Sequence, residues 1–387
     1  MKLRLAATTL AAAIVAGGAI AQTQGVTKDE ILVGTIQDLS GPIAAFGKSA
    51  RNGMQLAADE INEQGGVNGR KIKLLVEDSG YDPKKGVLAA QKLAQRDKVF
   101  ATAGNMGTPI AMATMPIFFD KNIPHLFPIT AARQMYDPLH KLKYSFAATY
   151  FDQMRSGIKY LSKAKADRKW CIIYQDDDFG AEVLAGAEAG LKEMGKTLIE
   201  KTSYKRGATD FSSQVAKMKG SGCDTVVLGT IIRETVGTIA EAKKTGFNAE
   251  FFGSSASYTH LIPRLGGPAM NGLISAHTVA HPYLDDASQN VRFWASKYKT
   301  KFNEDPDVFS AYGYVIMDNV IKGLTKAGKN LTIESFIKAL DSLTVPPDMF
   351  GGDQMTFTST KHLGSNKSRL SQIKDGKWTV ITPYVEP

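Results

Sequence analysis

Short apolar, β-rich runs alternate with amphipathic helical stretches along the chain, the pattern of a parallel sheet covered on both faces. Strands are predicted at Ile31 to Ile36, Lys71 to Asp78, Val99 to Ala103, Pro124 to Phe127 and Tyr144 to Ala148. Helices fall between them at Lys48 to Gln64, Lys84 to Asp97 (opened by Asp82-Pro83) and Pro109 to Asp120. The alternation then restarts. Helix Asp152 to Ala166 leads into strands at Trp170 to Tyr174, Thr197 to Tyr204, Asp224 to Gly229, Glu250 to Gly253 and Leu273 to His277, with helices between the first four. Helices return at Ser288 to Phe302, Val308 to Ala327 and Ile333 to Leu340, before a β-rich tail containing Met355 to Phe357, Arg369 to Ile373 and Trp378 to Thr382. The fold class is therefore α/β, with two doubly wound, Rossmann-like lobes. Their carboxyl-end loops face a cleft, where such sheets bind ligands.

The first 21 residues change the compartment. Lys2 and Arg4 precede an apolar run from Leu10 to Ile20 that is too short to span a bilayer, and Ala19-Ile20-Ala21 supplies a small-x-small cleavage signature. A cleaved export signal over 1–21 is expected. The nearest Cys is Cys171, so no lipid anchor is implied. A hydrophobic share of 43% with 22% charged residues is that of a globular protein, and the length suits two domains. The formal net charge of +9 comes from dispersed Lys and Arg residues, which argues against nucleic acid as a partner. Cys171 and Cys223 begin predicted strands that neighbour one another in a sheet ordered 2-1-3, so a disulfide and two inert buried thiols are both open.

Candidate chemistry is sparse. Gly41 to Ser49 ends in Gly-Lys-Ser like a phosphate loop, but five residues separate its glycines and Pro42 has no N–H to give. Ligand contact through backbone N–H groups and Phe46 is the better reading of that loop. No dinucleotide fingerprint, H-E-x-x-H zinc helix or G-x-S-x-G elbow is present, which points away from an enzyme and from a cofactor. His277 and His281 fall at the end of a sheet, where i,i+4 spacing does not converge on a metal. Asp176-Asp177-Asp178 reads as a helix cap. More informative is Gly104-Asn105-Met106-Gly107-Thr108 before Pro109: exposed N–H groups, an amide and a hydroxyl at a positive helix end outline a carboxylate site, with simple capping by Thr108 as the alternative. Thr130 and Tyr150 follow the next two strands and are expected to face the same cleft.

Four motifs taken together resemble the periplasmic solute-binding proteins of branched-chain amino acid type, the binding components of ABC importers. They are Leu39 to Gly47, Asp59 to Gly69, Tyr174 to Gly180 and Asp210-Phe211-Ser212. The resemblance implies a type I periplasmic binding protein fold with three interlobe crossovers, hinged like a trap. It divides the chain into a signal peptide (1–21), an N-terminal lobe (26–148 plus 282–354) and a C-terminal lobe (149–281 plus 355–387). It also implies ligand contact at Phe46, Gly107, Thr108, Thr130 and Phe179. Two positions depart from the amino-acid pattern: an aromatic residue is replaced by Ile231 or Ile232, and the acidic partner of the ligand ammonium by Ser255. A desolvated ammonium without such a partner is costly.

The expected ligand is accordingly a small apolar carboxylate without an α-ammonium group, an aromatic or keto acid. Asn105, Thr108 and backbone N–H groups would hold the carboxylate, Phe46, Tyr150, Phe179 and Ile231 the apolar body, and Ser255 or Tyr258 a distal hydrogen bond. A monomer that meets ABC permease subunits at the inner membrane from the periplasm is expected. The alternatives are a branched-chain amino acid receptor, an amide-type sensor or regulatory binding protein, and a secreted hydrolase.

Overall fold

A computed structural model describes residues 23–387; the leader expected over 1–21 lies outside the described residues. The first lobe is laid down as β1 (Glu30–Gln37), α1 (Ala44–Glu63), β2 (Lys71–Asp78), α2 (Pro83–Gln91), β3 (Ala101–Ala103), α3 (Thr108–Asp120), β4 (His125–Leu126) and β5 (Lys143–Tyr144). Its five strands are all parallel, in the order β2-β1-β3-β4-β5. The chain then enters the second lobe through α4 (Tyr150–Ala164).

There the sequence builds β6 (Trp170–Gln175), α5 (Asp178–Lys192), β7 (Glu200–Tyr204), α6 (Ser212–Gly220), β8 (Thr225–Gly229), α7 (Arg233–Lys244), β9 (Glu250–Gly253), α8 (Leu261–Gly266) and β10 (Ile274–His277). It returns to the first lobe as α9 (Gln289–Phe302), α10 (Val308–Ala327), α11 (Ile333–Leu340) and the small ribbon β11 (Thr344–Val345) with β12 (Met355–Thr356). Ion pairs of Lys297 with Glu60 and Lys301 with Asp59 seat α9 on α1. A last crossing adds β13 (Arg369–Lys374) and β14 (Lys377–Val380) to the second sheet, ordered β14-β13-β10-β9-β8-β6-β7, with β13 antiparallel to β10.

Two α/β lobes joined by three crossovers are thus the architecture, near residues 145–149, 278–282 and 357–368. The outer two are stitched together: Ser145 N–H donates to the His362 carbonyl at 2.9 Å and Gly364 N–H to the Ser145 carbonyl at 2.9 Å. The last switch comes later than residue 355, because β12 still pairs with β11 and the Phe357 ring packs on Phe127 and Tyr144 of the first lobe.

Cys171 and Cys223 form a disulfide with their Cα atoms 6.0 Å apart. The geometry follows from the 2-1-3 order of the second sheet, which places β8 beside β6 with Cys171 opposite Val226. Among the described residues no helix is long and apolar enough to cross a membrane.

Candidate ligand-binding cleft

Loops at the carboxyl ends of strands from both sheets converge on one cleft between the lobes, the place where doubly wound sheets bind ligands; the space between its walls, open solvent included, is about 680 Å³. Met106, Gly107 and Thr108 follow β3, Thr130 and Ala131 follow β4, and Ser145 to Ala148 form the first crossover. From the second lobe come Tyr150 and Gln153 on α4, Phe179 on α5, Ile231 after β8, and Ser255 and Ala256 after β9.

The wall is aromatic. Phe46, Tyr81, Phe146, Tyr150, Phe179, Phe309 and Tyr312 all line it. Phe46 stacks on Phe309 with ring centroids 3.7 Å apart and planes 15° from parallel. Tyr150 meets Phe179 edge to face at 5.0 Å. Gly107 makes room for this wall: its φ is +94°, and a Cβ there would lie 2.5 Å from Tyr81 Cε2. Only glycine meets both demands.

The polar corner lies at the start of α3. Thr108, its first residue, presents a hydroxyl 2.6 Å from that of Thr130. The first N–H groups of a helix have no intrahelical acceptor, and the dipole there favours negative charge. Burial pushes the Tyr150 phenol up to about 12, against hydrogen bonding by Ala131 and Thr130 that pulls it down, so it stays a neutral O–H. Across the cavity, Gln153 donates from Nε2 to Ser255 Oγ at 3.0 Å and accepts from Ser255 N–H at 2.8 Å. No Asp, Glu, Lys, Arg or His is among the lining residues.

Of the residues expected from sequence, Phe46, Gly107, Thr108, Thr130, Tyr150, Phe179, Ile231 and Ser255 converge on this cavity, and Ile232 does not line it. Asn105 and Tyr258 do not reach it. The Asn105 side-chain oxygen is spent on the Ile36 N–H at 2.8 Å, tying β3 to β1. Tyr258 is core: its ring stacks on His277 at 4.3 Å and packs on Trp378 at 4.9 Å, and its hydroxyl accepts from His281 N–H at 3.2 Å.

The Gly41 to Ser49 loop also departs from expectation. The N–H groups of Ser40, Gly41 and Ile43 all donate to the buried Asp38 carboxylate, so they are not offered to a ligand. The loop contributes Ile43 and Phe46 instead, and α1 begins at Ala44, four residues before the expected Lys48. Asp177 caps α5, accepting from Phe179 and Gly180 N–H. Among the described residues no group of three or more His, Cys, Asp or Glu side chains could hold a metal.

Sequence reasoning missed Tyr81, Phe146, Gln153, Phe309 and Tyr312. Tyr81 follows a strand that ends at the cleft, a signal available from the alternation alone. Phe309 and Tyr312 carry only a local i,i+3 signal. Their place in the wall depends on α10 returning to pack on α1, which is a tertiary fact.

Comparison with known proteins bears on this geometry. A family model described as "Periplasmic binding protein" matches residues 30–377. The chain is 24% identical over 304 residues to the "Leucine-, isoleucine-, valine-, threonine-, and alanine-binding protein" of Pseudomonas aeruginosa, covering 78% of this chain and 79% of that one. It is 23% identical over 311 residues to the "Leu/Ile/Val-binding protein" of Escherichia coli, covering 80% and 83%. Among solved structures, a fatty acid ABC transporter substrate-binding protein from Thermomonospora curvata superposes with a TM-score of 0.85 at 25% identity, covering 95% of each chain. A branched chain amino acid ABC transporter from Thermus thermophilus with bound valine gives 0.84 at 17% identity, covering 93% and 97%, a likeness of fold.

Proposed function

The chain belongs to the periplasmic binding protein family, and from that premise we propose that it serves in the periplasm as the solute receptor of an ABC importer. It has no catalytic role in this reading: its lobes close on a small molecule and present it to the permease. The observation that carries the reading is the cavity itself, walled by both lobes, with an aromatic wall on one side and a helix amino terminus on the other. The Thr108 and Thr130 hydroxyls and the first N–H groups of α3 hold a carboxylate. Phe46, Tyr150, Phe179 and Ile231 clasp an apolar body, and Ser255 with its Gln153 partner gives a distal hydrogen bond.

Two ligand classes compete, and different observations favour each. The lining has no charged side chain, so an α-ammonium would be desolvated against neutral groups alone, at a cost of several kcal/mol. This supports an aromatic or keto acid. The printed names of the curated relatives support the second class, leucine, isoleucine and valine, and the comparisons as a whole lean that way. The Thermomonospora protein is named for an acid without an ammonium. A thermal-shift panel of L-leucine, L-valine, phenylacetate, benzoate and 4-methyl-2-oxopentanoate separates the two. Stabilisation by the three acids alone supports the uncharged cleft as written. Stabilisation by leucine or valine with the acids inert replaces it with the amino-acid reading.

A further inference from the structure

The lobes also touch beyond the cavity, and those contacts converge on one helix end. α5 belongs to the second lobe, and its Phe179 lines the cavity. Three residues on, Glu182 is only 4% exposed and accepts four hydrogen bonds, all from the first lobe. Arg133 gives three of them, from its N–H at 3.1 Å, Nε at 2.9 Å and Nη2 at 2.9 Å; Gln134 Nε2 gives the fourth at 3.2 Å. The same guanidinium lies 3.9 Å from the ring centre of Phe151, on α4.

Asp177, at the cap of the same helix, makes a second bridge. Its Oδ2 accepts from Arg206 Nη2 at 2.9 Å, and Arg206 Nη1 reaches the Tyr81 carbonyl of the first lobe at 3.0 Å. Tyr81 lines the cavity with φ at +56°, a left-handed conformation that is an outlier for a bulky residue. Such strain persists where surrounding contacts over-determine it.

We propose that the amino-terminal end of α5 is the closure latch of this receptor: Glu182 with Arg133, and Asp177 through Arg206 with Tyr81, hold the lobes shut and set how long a bound molecule stays. The inference rests on the two-lobe receptor reading. Glu182, Arg133, Asp177 and Arg206 do not line the cavity, and Tyr81, which does, joins the latch through its backbone carbonyl, so the four side chains act on any occupant alike. Both bridges join groups on separate lobes, so hinge opening parts them and returns the Glu182 carboxylate to water. Contacts present in only one of two conformations shift the equilibrium toward it. A forked Arg–carboxylate pair is among the stronger of such contacts. Contacts completed after encounter act on departure more than on arrival. Phe179 links the latch to the cavity through one turn of helix.

The test compares wild type, Glu182→Gln, Arg133→Ala and Arg206→Ala in the full chain, with phenylacetate and L-leucine as probes. The release rate of whichever probe binds is expected to rise on the order of tenfold in Glu182→Gln and Arg133→Ala and by at least about threefold in Arg206→Ala, while association changes by less than about twofold in all three; a wild-type release rate in Arg206→Ala would remove the Asp177–Arg206–Tyr81 bridge from the latch. Where both bind, the ratio of their affinities stays at the wild-type value. The double exchange Arg133→Glu with Glu182→Arg is expected to recover part of the loss. Hydrogen exchange at the residue 133 amide reads the latch without reference to ligand class, and should quicken in Glu182→Gln. Release rates and residue 133 exchange both at wild-type values would overturn the latch. If neither probe binds wild type, the ligand reading fails by itself, and the latch is then decided by exchange alone, unchanged protection overturning it.

Discussion

Thr108 Oγ1 and Thr130 Oγ1 stand 2.6 Å apart, one on the first residue of α3 and the other in the loop after β4. Thr130 also accepts from Ala132 N–H at 3.3 Å. If Thr108 donates to Thr130, the Thr130 O–H is left for a third group, and an oxygen of a bound carboxylate at the helix end completes the chain. Thr108→Val and Thr130→Val are each expected to weaken binding of the stabilising carboxylate by about 1–2 kcal/mol, roughly five- to thirtyfold in Kd. The double variant should lose less than the sum, because the two hydroxyls share one network. Titration calorimetry checks this, and an unaltered Kd in both single variants would move the carboxylate elsewhere.

Ser255 offers a change of ligand class at one position. It lines the cavity and already receives the Gln153 amide. An aspartate there would put a negative charge opposite the helix end, about where an ammonium needs its partner. Ser255→Asp is expected to raise L-leucine affinity at least tenfold, on the order of the 1.5–3 kcal/mol of a hydrogen bond to a charged group. It should lower phenylacetate affinity by like-charge repulsion. Competition binding of the two ligands measures both effects. Tight leucine binding by wild type, with no gain in the variant, would show that the cleft already satisfies the ammonium.

The alternation of apolar runs and amphipathic helices made both sheets legible, because each strand and helix is defined by contacts of its own period. Loop positions were legible where a strand end dictates direction, as at Thr108, Thr130 and Phe179. They failed where side-chain orientation depends on a special backbone. Asn105 sits between two glycines, Gly104 and Gly107, that both have positive φ, and the turn sends its amide to Ile36 instead of the cleft. Tyr258 failed for a long-range reason. Its ring is covered by Trp378, which arrives only when the tail returns as β14. Asp38 is a different case: it accepts from N–H groups two, three and five residues on, a local Asx-type pattern, and so consumes the donors that made the Gly41 to Ser49 loop attractive.

The Cys171–Cys223 bond spans a sequence separation of 52, for which loop-closure entropy gives about 4 kcal/mol of stabilisation. It lies at the amino ends of β6 and β8, while the cavity lies at the carboxyl ends of the same strands. The paired variant Cys171→Ala with Cys223→Ala should therefore lower the urea midpoint and the Tm while changing ligand Kd by less than about twofold. Denatured, unreduced wild-type protein should show no free thiol. Two titratable thiols, or a Kd that rises as stability falls, would overturn this expectation.

Acid should weaken the fold through histidines buried without charge. His125, on β4, has no hydrogen-bond partner on either ring nitrogen. Burial, with a smaller push from the nearby Lys143 ammonium, takes its imidazole down to about 4. His277 is driven to about 3 and His281 well below its ordinary value, in each case first by burial. Because the folded values lie below the unfolded value near 6.5, the unfolded chain takes up these protons first as pH falls. The stability is fully present above about 6.5 and is lost progressively toward about 4 for His125, with a slope of at most about 1.4 kcal/mol per pH unit for each histidine. Below the folded value both states carry the proton and the loss stops. His125→Leu removes one titrating group from a site already stacked on Phe118. Urea unfolding from pH 7.5 down to 4.5 should then give a shallower decline for the variant than for wild type. The curves should diverge only below about pH 6.5, and parallel curves throughout would mean that His125 gains its proton in the folded protein as readily as in the unfolded chain.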